Sequence, residues 1–202
     1  MHYLDEKGVV VLNLSAATVV FNEEDQVKLF NYGLGHLTDY GLLVSFPIFE
    51  PRSVAPEVLL QGLPLSGGSG RPTDSEIDEQ ELDSISHILP ARKPPYSVSC
   101  SVWSLGILLL AKCIGMKSEQ DFWPTLKVSQ VLRKVMSLAS CHDALWRMAR
   151  EFNAEDQIKT LPEKMIGLLQ LCLQPDPSQR LTPLKILHFL SIEVCAKSVR
   201  TI

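Results

Sequence analysis

Hydrophobic and polar positions divide the chain into an N-terminal part with short apolar runs and a C-terminal part with longer amphipathic stretches. Apolar, β-prone runs occupy residues 9–12, 18–21 and 27–30, and a polar turn lies at 22–25. Apolar runs of this length, bounded by turn residues, predict strands. Because the links between them are short, the runs predict one small sheet laid over a helical lobe.

The second half of the chain carries helical periodicity. Residues 101–113 are apolar nearly all round, which predicts a buried central helix. Thr182 and Pro183 supply an N-cap and a first-turn proline for a last helix over about 183–194. Further amphipathic stretches predict helices at 126–138, 142–152 and 162–173. The predicted fold is mainly α, with a few short strands near the N-terminus.

Two intervening segments lack such periodicity. Residues 34–57 end in several proline-bearing signals and are expected to be extended and looping. Residues 61–95 join a Gly/Ser stretch, six acids without a basic residue, and closing prolines, which is typical of a disordered insertion. We therefore expect one lobe over 1–195, interrupted by 61–95, and a tail at 196–202.

Composition narrows the functional classes. The net charge of -4 and the absence of a long basic run argue against a nucleic-acid surface. The longest apolar run, 105–111, is far shorter than the roughly 20 residues of a membrane-spanning helix. Five cysteines without paired spacing suit a reducing compartment. With no signal pattern at the N-terminus, the sequence predicts a cytoplasmic protein without a membrane span.

Five motifs occur in order along the chain. They are Val11-Leu12-Asn13, Asn31-Tyr32-Gly33, Ala55-Pro56-Glu57, Val102-Trp103-Ser104-Leu105-Gly106 and Pro175-Asp176-Pro177-Ser178-Gln179-Arg180. In this order they resemble the His-Arg-Asp loop, Asp-Phe-Gly, Ala-Pro-Glu, the start of the large central helix and the loop before the last helix of a protein kinase C-lobe. The resemblance covers residues 1–195 and implies a kinase-like C-lobe.

The same resemblance implies that the chemistry has been lost. It places Asn13 at the catalytic Asp, Ser15 at the catalytic-loop Lys, Thr18 at the metal-binding Asn and Asn31 at the metal-binding Asp. Loss of a general base costs about 10²–10⁴ in rate, and weakened metal ligands add to this loss. The Gly-rich stretch at 67–70 precedes no helix, so it does not predict a phosphate cradle. We expect a pseudokinase without an N-lobe, bound metal or cofactor.

Positions that pack rather than react are retained in the resemblance. Tyr32 and Gly33 keep the aromatic plug and the glycine turn, and Val20 keeps the vestigial apolar floor of an adenine site. Glu57 and Arg180 resemble the buried ion pair that ties the activation segment to the last helices, and Trp103 marks the central helix. Ser101 departs from the family, which usually has an Asp there that braces the catalytic loop.

The resemblance extends to proteins in which an inactive kinase-like domain precedes a TBC (Rab GTPase-activating) domain and a rhodanese-like domain. It implies a short isoform or fragment of such a protein, which would act in growth signalling (the mTOR pathway), endosomal trafficking and cytoskeletal organisation. It also implies Rab-linked partner complexes through the full-length protein. We expect the chain to be a protein-interaction or scaffolding module. The alternative is a divergent kinase with residual ATP binding or phosphotransfer.

Overall fold

The computed structural model describes residues 1–7, 9–11, 14–29, 35–37, 52–62 and 97–198. The chain is mainly helical with short strands near its N-terminus, which confirms the predicted fold class. The predicted disordered insertion lies outside the described residues except for its first two positions. The helices are α1 (His2–Glu6), α2 (Pro56–Gly62), α3 (Val98–Cys113), α4 (Val128–Leu138), α5 (Ala144–Glu151), α6 (Glu155–Lys159), α7 (Glu163–Cys172) and α8 (Pro183–Ser198).

The described residues include four strands, which form two separate antiparallel pairs. The strands are β1 (Val9–Val11), β2 (Val19–Phe21), β3 (Val27–Leu29) and β4 (Gly35–Leu37). β1 pairs with β4, and β2 pairs with β3. The prediction of a single small sheet was therefore wrong, and β4 lies in a segment predicted to be extended and looping. Because β4 has only three residues and pairs with a strand about 25 positions earlier, local alternation gives no sign of it.

The β2–β3 turn follows from its sequence. The Asn22 side-chain oxygen accepts hydrogen bonds from the backbone N–H groups of Glu24 (3.2 Å) and Gln26 (2.8 Å). Asp25 adopts a positive φ of 57°, a conformation that Asp and Asn tolerate better than most residues. The polar turn that was predicted at 22–25 is confirmed.

The helix boundaries differ from the predicted ones by a few residues. α2 includes Gln61 and Gly62, which were assigned to the insertion, and α3 begins at Val98 rather than near 101. α8 continues to Ser198, so the predicted tail begins within a helix. α1 and α6, each five residues long, were not predicted because so short a helix shows little periodicity.

The buried core is built around α3. Trp103, Ile107 and Leu110 of this helix are at most 1% exposed, and they belong to one large apolar cluster with residues of α2, α4, α5 and α7. A smaller cluster joins Val102 to Ile186 and to buried residues of α7. Helix α3 is therefore buried on several sides, as its sequence predicted. Within the described ranges, no helix is both long and apolar enough to cross a bilayer.

Helices α3 and α7 meet closely at Gly106. A Cβ atom built at Gly106 would lie 2.8 Å from Leu173 Cδ2 and 2.9 Å from Cys172 Cβ. In real proteins a Cβ atom essentially never has such a neighbour within 3.0 Å. Any residue other than glycine at position 106 would therefore require α7 or Leu173 to shift. By contrast, a Cβ at Gly167 has its nearest described neighbour, Phe189 Cζ, at 3.9 Å, an ordinary contact.

This difference gives a matched pair of substitutions. Gly106→Ala should lower the free energy of unfolding by about 1–3 kcal/mol because it overpacks the α3–α7 contact. Gly167→Ala should raise it by roughly 0.5–1 kcal/mol because alanine is the better helix former. Urea unfolding followed by circular dichroism measures both. Equal effects of the two substitutions would show that α3 and α7 do not pack as closely as the structure has them.

Candidate functional site

The loop that should carry the kinase chemistry is only partly described. Ser15 and Thr18 are buried, with 5% and 8% of their surfaces exposed. Asn13, Asn31, Tyr32 and Gly33 lie outside the described residues. The site is therefore built from the remainder of the loop and from the elements that hold it.

Ser15 and Thr18 bond to each other across a tight turn. The Thr18 hydroxyl oxygen accepts a hydrogen bond from the Ser15 N–H (2.9 Å), and the hydroxyl donates to the Ser15 carbonyl (3.1 Å). The backbone N–H of Thr18 donates to the same carbonyl at 3.0 Å. Thr18 thus acts as a turn-forming residue, which is a common local role of a threonine hydroxyl.

Ser101 of α3 holds the strand that leads into this loop. Its hydroxyl oxygen accepts a hydrogen bond from the Val11 N–H at 3.0 Å, and the hydroxyl donates to the Val11 carbonyl at 2.9 Å. Both residues are at least 97% buried. One hydroxyl therefore satisfies both polar groups of a buried backbone unit. A carboxylate could accept the first bond but could not donate the second.

Glu119 holds the loop from the other side. This residue begins a short 3₁₀ turn, Glu119–Asp121, and it is 2% exposed. Its carboxylate oxygens accept from the Ala16 N–H at 3.1 and 3.2 Å. A hydrogen bond to a charged acceptor contributes more than one between neutral groups, typically about 1.5–3 kcal/mol. The loop is thus bonded to α3 through Val11 and to the segment after α3 through Ala16.

The described polar side chains around this loop bond one another or the backbone. The Ser15 and Thr18 hydroxyl oxygens lie 3.5 Å apart, and the Glu119 carboxylate accepts from the Ala16 backbone N–H. Within the described ranges, no three His, Cys, Asp or Glu side chains converge to form a possible metal site.

A buried ion pair joins Glu57 of α2 to Arg180, which lies just before α8. Arg180 Nη1 lies 2.6 Å from Glu57 Oε1, and Nη2 lies 2.9 Å from Oε2, a bidentate arrangement. The other donors of Arg180 bond three backbone carbonyls, those of Ser99 (3.1 Å), Gln174 (2.7 Å) and Pro175 (3.1 Å). All five guanidinium N–H groups therefore have acceptors. The pair links α2, the start of α3 and the turn before α8.

The surroundings of the pair exclude water. The Trp103 ring lies beneath the guanidinium, with Arg180 Cζ 4.9 Å from the ring centroid, a cation–π contact. Cys100 donates from its sulfur to Glu57 Oε1 at 3.4 Å. Burial, together with the neighbouring Glu57 carboxylate, raises the pKa of the Cys100 thiol above its ordinary value, so the thiol stays protonated as a donor. Burial also raises the pKa of Cys172 to about 12.

Hydrogen bonds also hold Arg52 and Ser53, the residues that precede α2. Arg52 Nε donates to the Phe122 carbonyl at 2.6 Å, and Nη2 reaches the Trp123 carbonyl at 3.3 Å. The hydroxyl of Ser104 donates to the Ser53 carbonyl at 2.6 Å. Trp123 has a φ of 50°, an uncommon backbone conformation. Two hydrogen bonds hold it: its carbonyl accepts from Arg52, and its indole N–H donates to Glu151 at 2.9 Å.

The vestigial adenine-floor position lies at the surface. Val20 is 40% exposed, and its neighbour Phe21 and the cross-strand Val27 are 67% and 59% exposed. The β2–β3 pair therefore presents apolar side chains outward.

Sequence reasoning missed Glu119 and Arg52. A buried acid in a polar stretch looks like any solvated acid until the partner, a backbone N–H more than 100 positions away, is known. Arg52 carried a weak signal, because it lies three residues before the Ala55-Pro56-Glu57 motif in a segment otherwise poor in charge.

Over most of its length, the chain is similar to proteins whose names include protein kinase or kinase-like. The chain is 36% identical over 184 residues to the mouse (Mus musculus) protein named TBC domain-containing protein kinase-like protein, and 34% identical over 188 residues to the Gallus gallus protein of that name. The matches cover 91% and 93% of this chain. A Dictyostelium discoideum protein named probable serine/threonine-protein kinase fhkA is 26% identical over 186 residues, or 89% of this chain and 28% of that protein. No protein-family model matches.

The kinship concerns one part of much longer proteins. The chain spans about a fifth of the length of the curated relatives that it matches first, 18% of the mouse protein and 19% of the Gallus gallus protein. What the longer proteins do through their other parts is therefore a separate question.

The ion pair gives a stability prediction with an internal control. Glu57→Gln should lower the free energy of unfolding by about 3–5 kcal/mol because it leaves a buried guanidinium without its counter-charge. Asp156→Asn removes the exposed Lys159–Asp156 pair, whose side chains are 62% and 95% exposed, and should change stability by less than about 1 kcal/mol. Urea unfolding midpoints compare the two variants. Similar losses in both would contradict the role assigned to the buried pair.

The Ser101 brace gives a second prediction. Ser101→Ala leaves the Val11 N–H and carbonyl without their partner and should cost about 1–3 kcal/mol. Ser140→Ala, which removes an exposed hydroxyl bonded to the Ser137 carbonyl, should cost much less. Hydrogen exchange of the Val11 amide should accelerate in the first variant and stay unchanged in the second. Unchanged exchange in both would mean that Ser101 does not hold the loop.

Proposed function

We propose that this chain, which is homologous to a kinase-like segment of the TBC domain-containing protein kinase-like proteins, is a catalytically inactive lobe that serves as a protein-interaction module. One observation carries the proposal. The loop that would hold the reacting groups is bonded on two sides by buried side chains, while its own Ser15 and Thr18 bond to each other. This supports a role for the loop in holding the lobe together.

The chemistry of the substituted positions supports the same proposal. Hard cations take oxygen ligands and favour carboxylates, yet asparagine stands at positions 13 and 31. Protein kinases depend on positioned metal ions and a charged loop residue to stabilise the transferred phosphoryl group. Ser15 has no cationic group to contribute there. A module of this kind would bind other proteins through its surface and require no cofactor.

The setting of the longer protein is also proposed. Because the relatives carry "TBC domain" in their names, we propose that the lobe belongs to Rab GTPase-linked complexes in the cytoplasm. There it would contribute to growth signalling in the mTOR pathway, endosomal trafficking and cytoskeletal organisation. The chain would take part by contact with partner proteins, and nucleic acid would not be among them.

Nucleotide binding separates this proposal from a divergent kinase. Addition of ATP with Mg²⁺ should shift the melting temperature of the chain by less than about 1 °C. A ligand raises the melting temperature only if it binds the folded state, and we propose that this lobe does not bind ATP. An active protein kinase catalytic domain, melted under the same conditions, serves as the positive control. A shift of several degrees that requires Mg²⁺ would contradict the proposal and favour residual catalysis.

A further inference from the structure

Helices α4 and α5 lie side by side and are joined by polar side chains. Arg147 of α5 donates from Nη1 to the Ser137 carbonyl at 3.0 Å and from Nη2 to the Ser137 hydroxyl at 2.9 Å. One turn further along α5, Glu151 forms an ion pair with Lys134, which lies one turn earlier on α4. The contacts advance along one helix as they recede along the other, so the two helices are antiparallel. We call the line of contact between them the α4–α5 seam.

Two exposed arginines flank this seam. Arg133 lies four residues before Ser137, and Arg150 lies three residues after Arg147. At these spacings, each arginine shares a side of its helix with the residue that crosses the seam. Both arginines are exposed, and within the described ranges neither guanidinium has a hydrogen bond or an ion pair.

The surface along the seam is basic, although the whole chain has a net charge of -4. Residues 127–151 contain five Lys or Arg residues and two acids. Glu151 is already bonded by Lys134 and by the indole N–H of Trp123 at 2.9 Å. Asp143 caps α5 and accepts from the Gln170 amide at 3.3 Å. Because the nearby carboxylates are engaged, the cations of this surface attract an anionic partner.

The placement of the cations favours a row of carboxylates. Helices in contact have axes about 8–10 Å apart, so Arg133 and Arg150 start from opposite sides of the seam. In an extended peptide, alternate side chains lie on one face about 7 Å apart. Alternating acids can therefore meet both arginines, and each guanidinium can hold one carboxylate through two parallel N–H donors.

An anionic membrane is the less suitable occupant of this surface. A helix that lies in a bilayer interface buries apolar side chains beside its basic residues. Among the described side chains of α4 and α5, no large apolar one is exposed. The surface is therefore polar, which suits a charged peptide.

We propose that the α4–α5 surface docks an extended, Asp- and Glu-rich segment of a partner protein. The cations that form this surface are Arg133, Lys134, Arg147 and Arg150. The proposal rests on the interaction role proposed above and assigns a surface and a class of partner to it. Because the charges lie at the surface, binding weakens as the salt concentration rises.

Fluorescence anisotropy of a labelled peptide with alternating Glu and Ser, titrated with the whole chain at about 50 mM salt, tests the docking. This peptide should bind at least about tenfold more tightly than the same peptide with Gln in place of Glu. Arg133→Glu combined with Arg150→Glu should lower the affinity for the Glu peptide at least about tenfold.

The matched control is Lys7→Glu combined with Lys185→Glu, which changes the net charge equally. Both lysines are exposed and lie outside α4 and α5. This control should lower the affinity less than about threefold, because solvent and salt screen distant charges. Circular dichroism melting checks that each variant is folded. If the charge-reversed arginine variant melts early, Arg133→Gln combined with Arg150→Gln replaces it, and its affinity should fall by at least about threefold.

Three results would overturn the proposal. The first is equal binding of the Glu and Gln peptides. The second is an equal loss of affinity in the arginine and lysine variants, which would assign binding to the charge of the whole chain. The third is tighter binding of a neutral peptide with one phosphoserine, or of phosphatidylserine vesicles, which would make a phosphate group or a membrane the occupant. Since these results do not involve ATP, the melting experiment with Mg²⁺ tests the inactive lobe separately.

Discussion

The buried pair of Glu57 and Arg180 is the contact on which the rest of the lobe depends. It joins α2, which contains Glu57, to the turn before α8, and through the Ser99 carbonyl it fixes the start of α3. Desolvating two charges is costly, and the cost is offset only when the remaining donors are satisfied. Here every guanidinium N–H has an acceptor, and Trp103 covers the open face. The pair therefore fixes the relative positions of elements that are more than 100 residues apart.

Helix α3, whose start is fixed by this pair, holds two further segments through hydrogen bonds. Ser101 holds Val11, and Ser104 holds Ser53, so one helix positions both segments that would form a kinase active site. Glu119 and Arg52 add bonds from the segment that follows α3 and from the residues before α2. Side chains of α3 and of its neighbouring segments thus bond the backbone around this loop.

The sequence predicted the parts of this arrangement that depend on long patterns or on linked motifs. The apolar residues of α3 predicted its burial, and the resemblance to kinase motifs implied that Glu57 and Arg180 form an ion pair. It did not predict β4, because a three-residue strand is set by its distant partner and not by its own residues. Nor did it predict the Glu119 contact, since a carboxylate that bonds a backbone N–H needs no particular residue at the other end. The resemblance marks Ser101 as a departure from the family, but only the geometry shows that its hydroxyl satisfies both polar groups of Val11.

We propose that this lobe keeps the frame of a kinase without its chemistry. Transfer of labelled phosphate from Mg²⁺-ATP by the whole chain, to itself or to a general protein acceptor, tests the claim most directly. The account predicts incorporation no greater than that of the same chain after heat denaturation. Incorporation that requires Mg²⁺ and disappears when Ser15 and Thr18 are both replaced by alanine would contradict it.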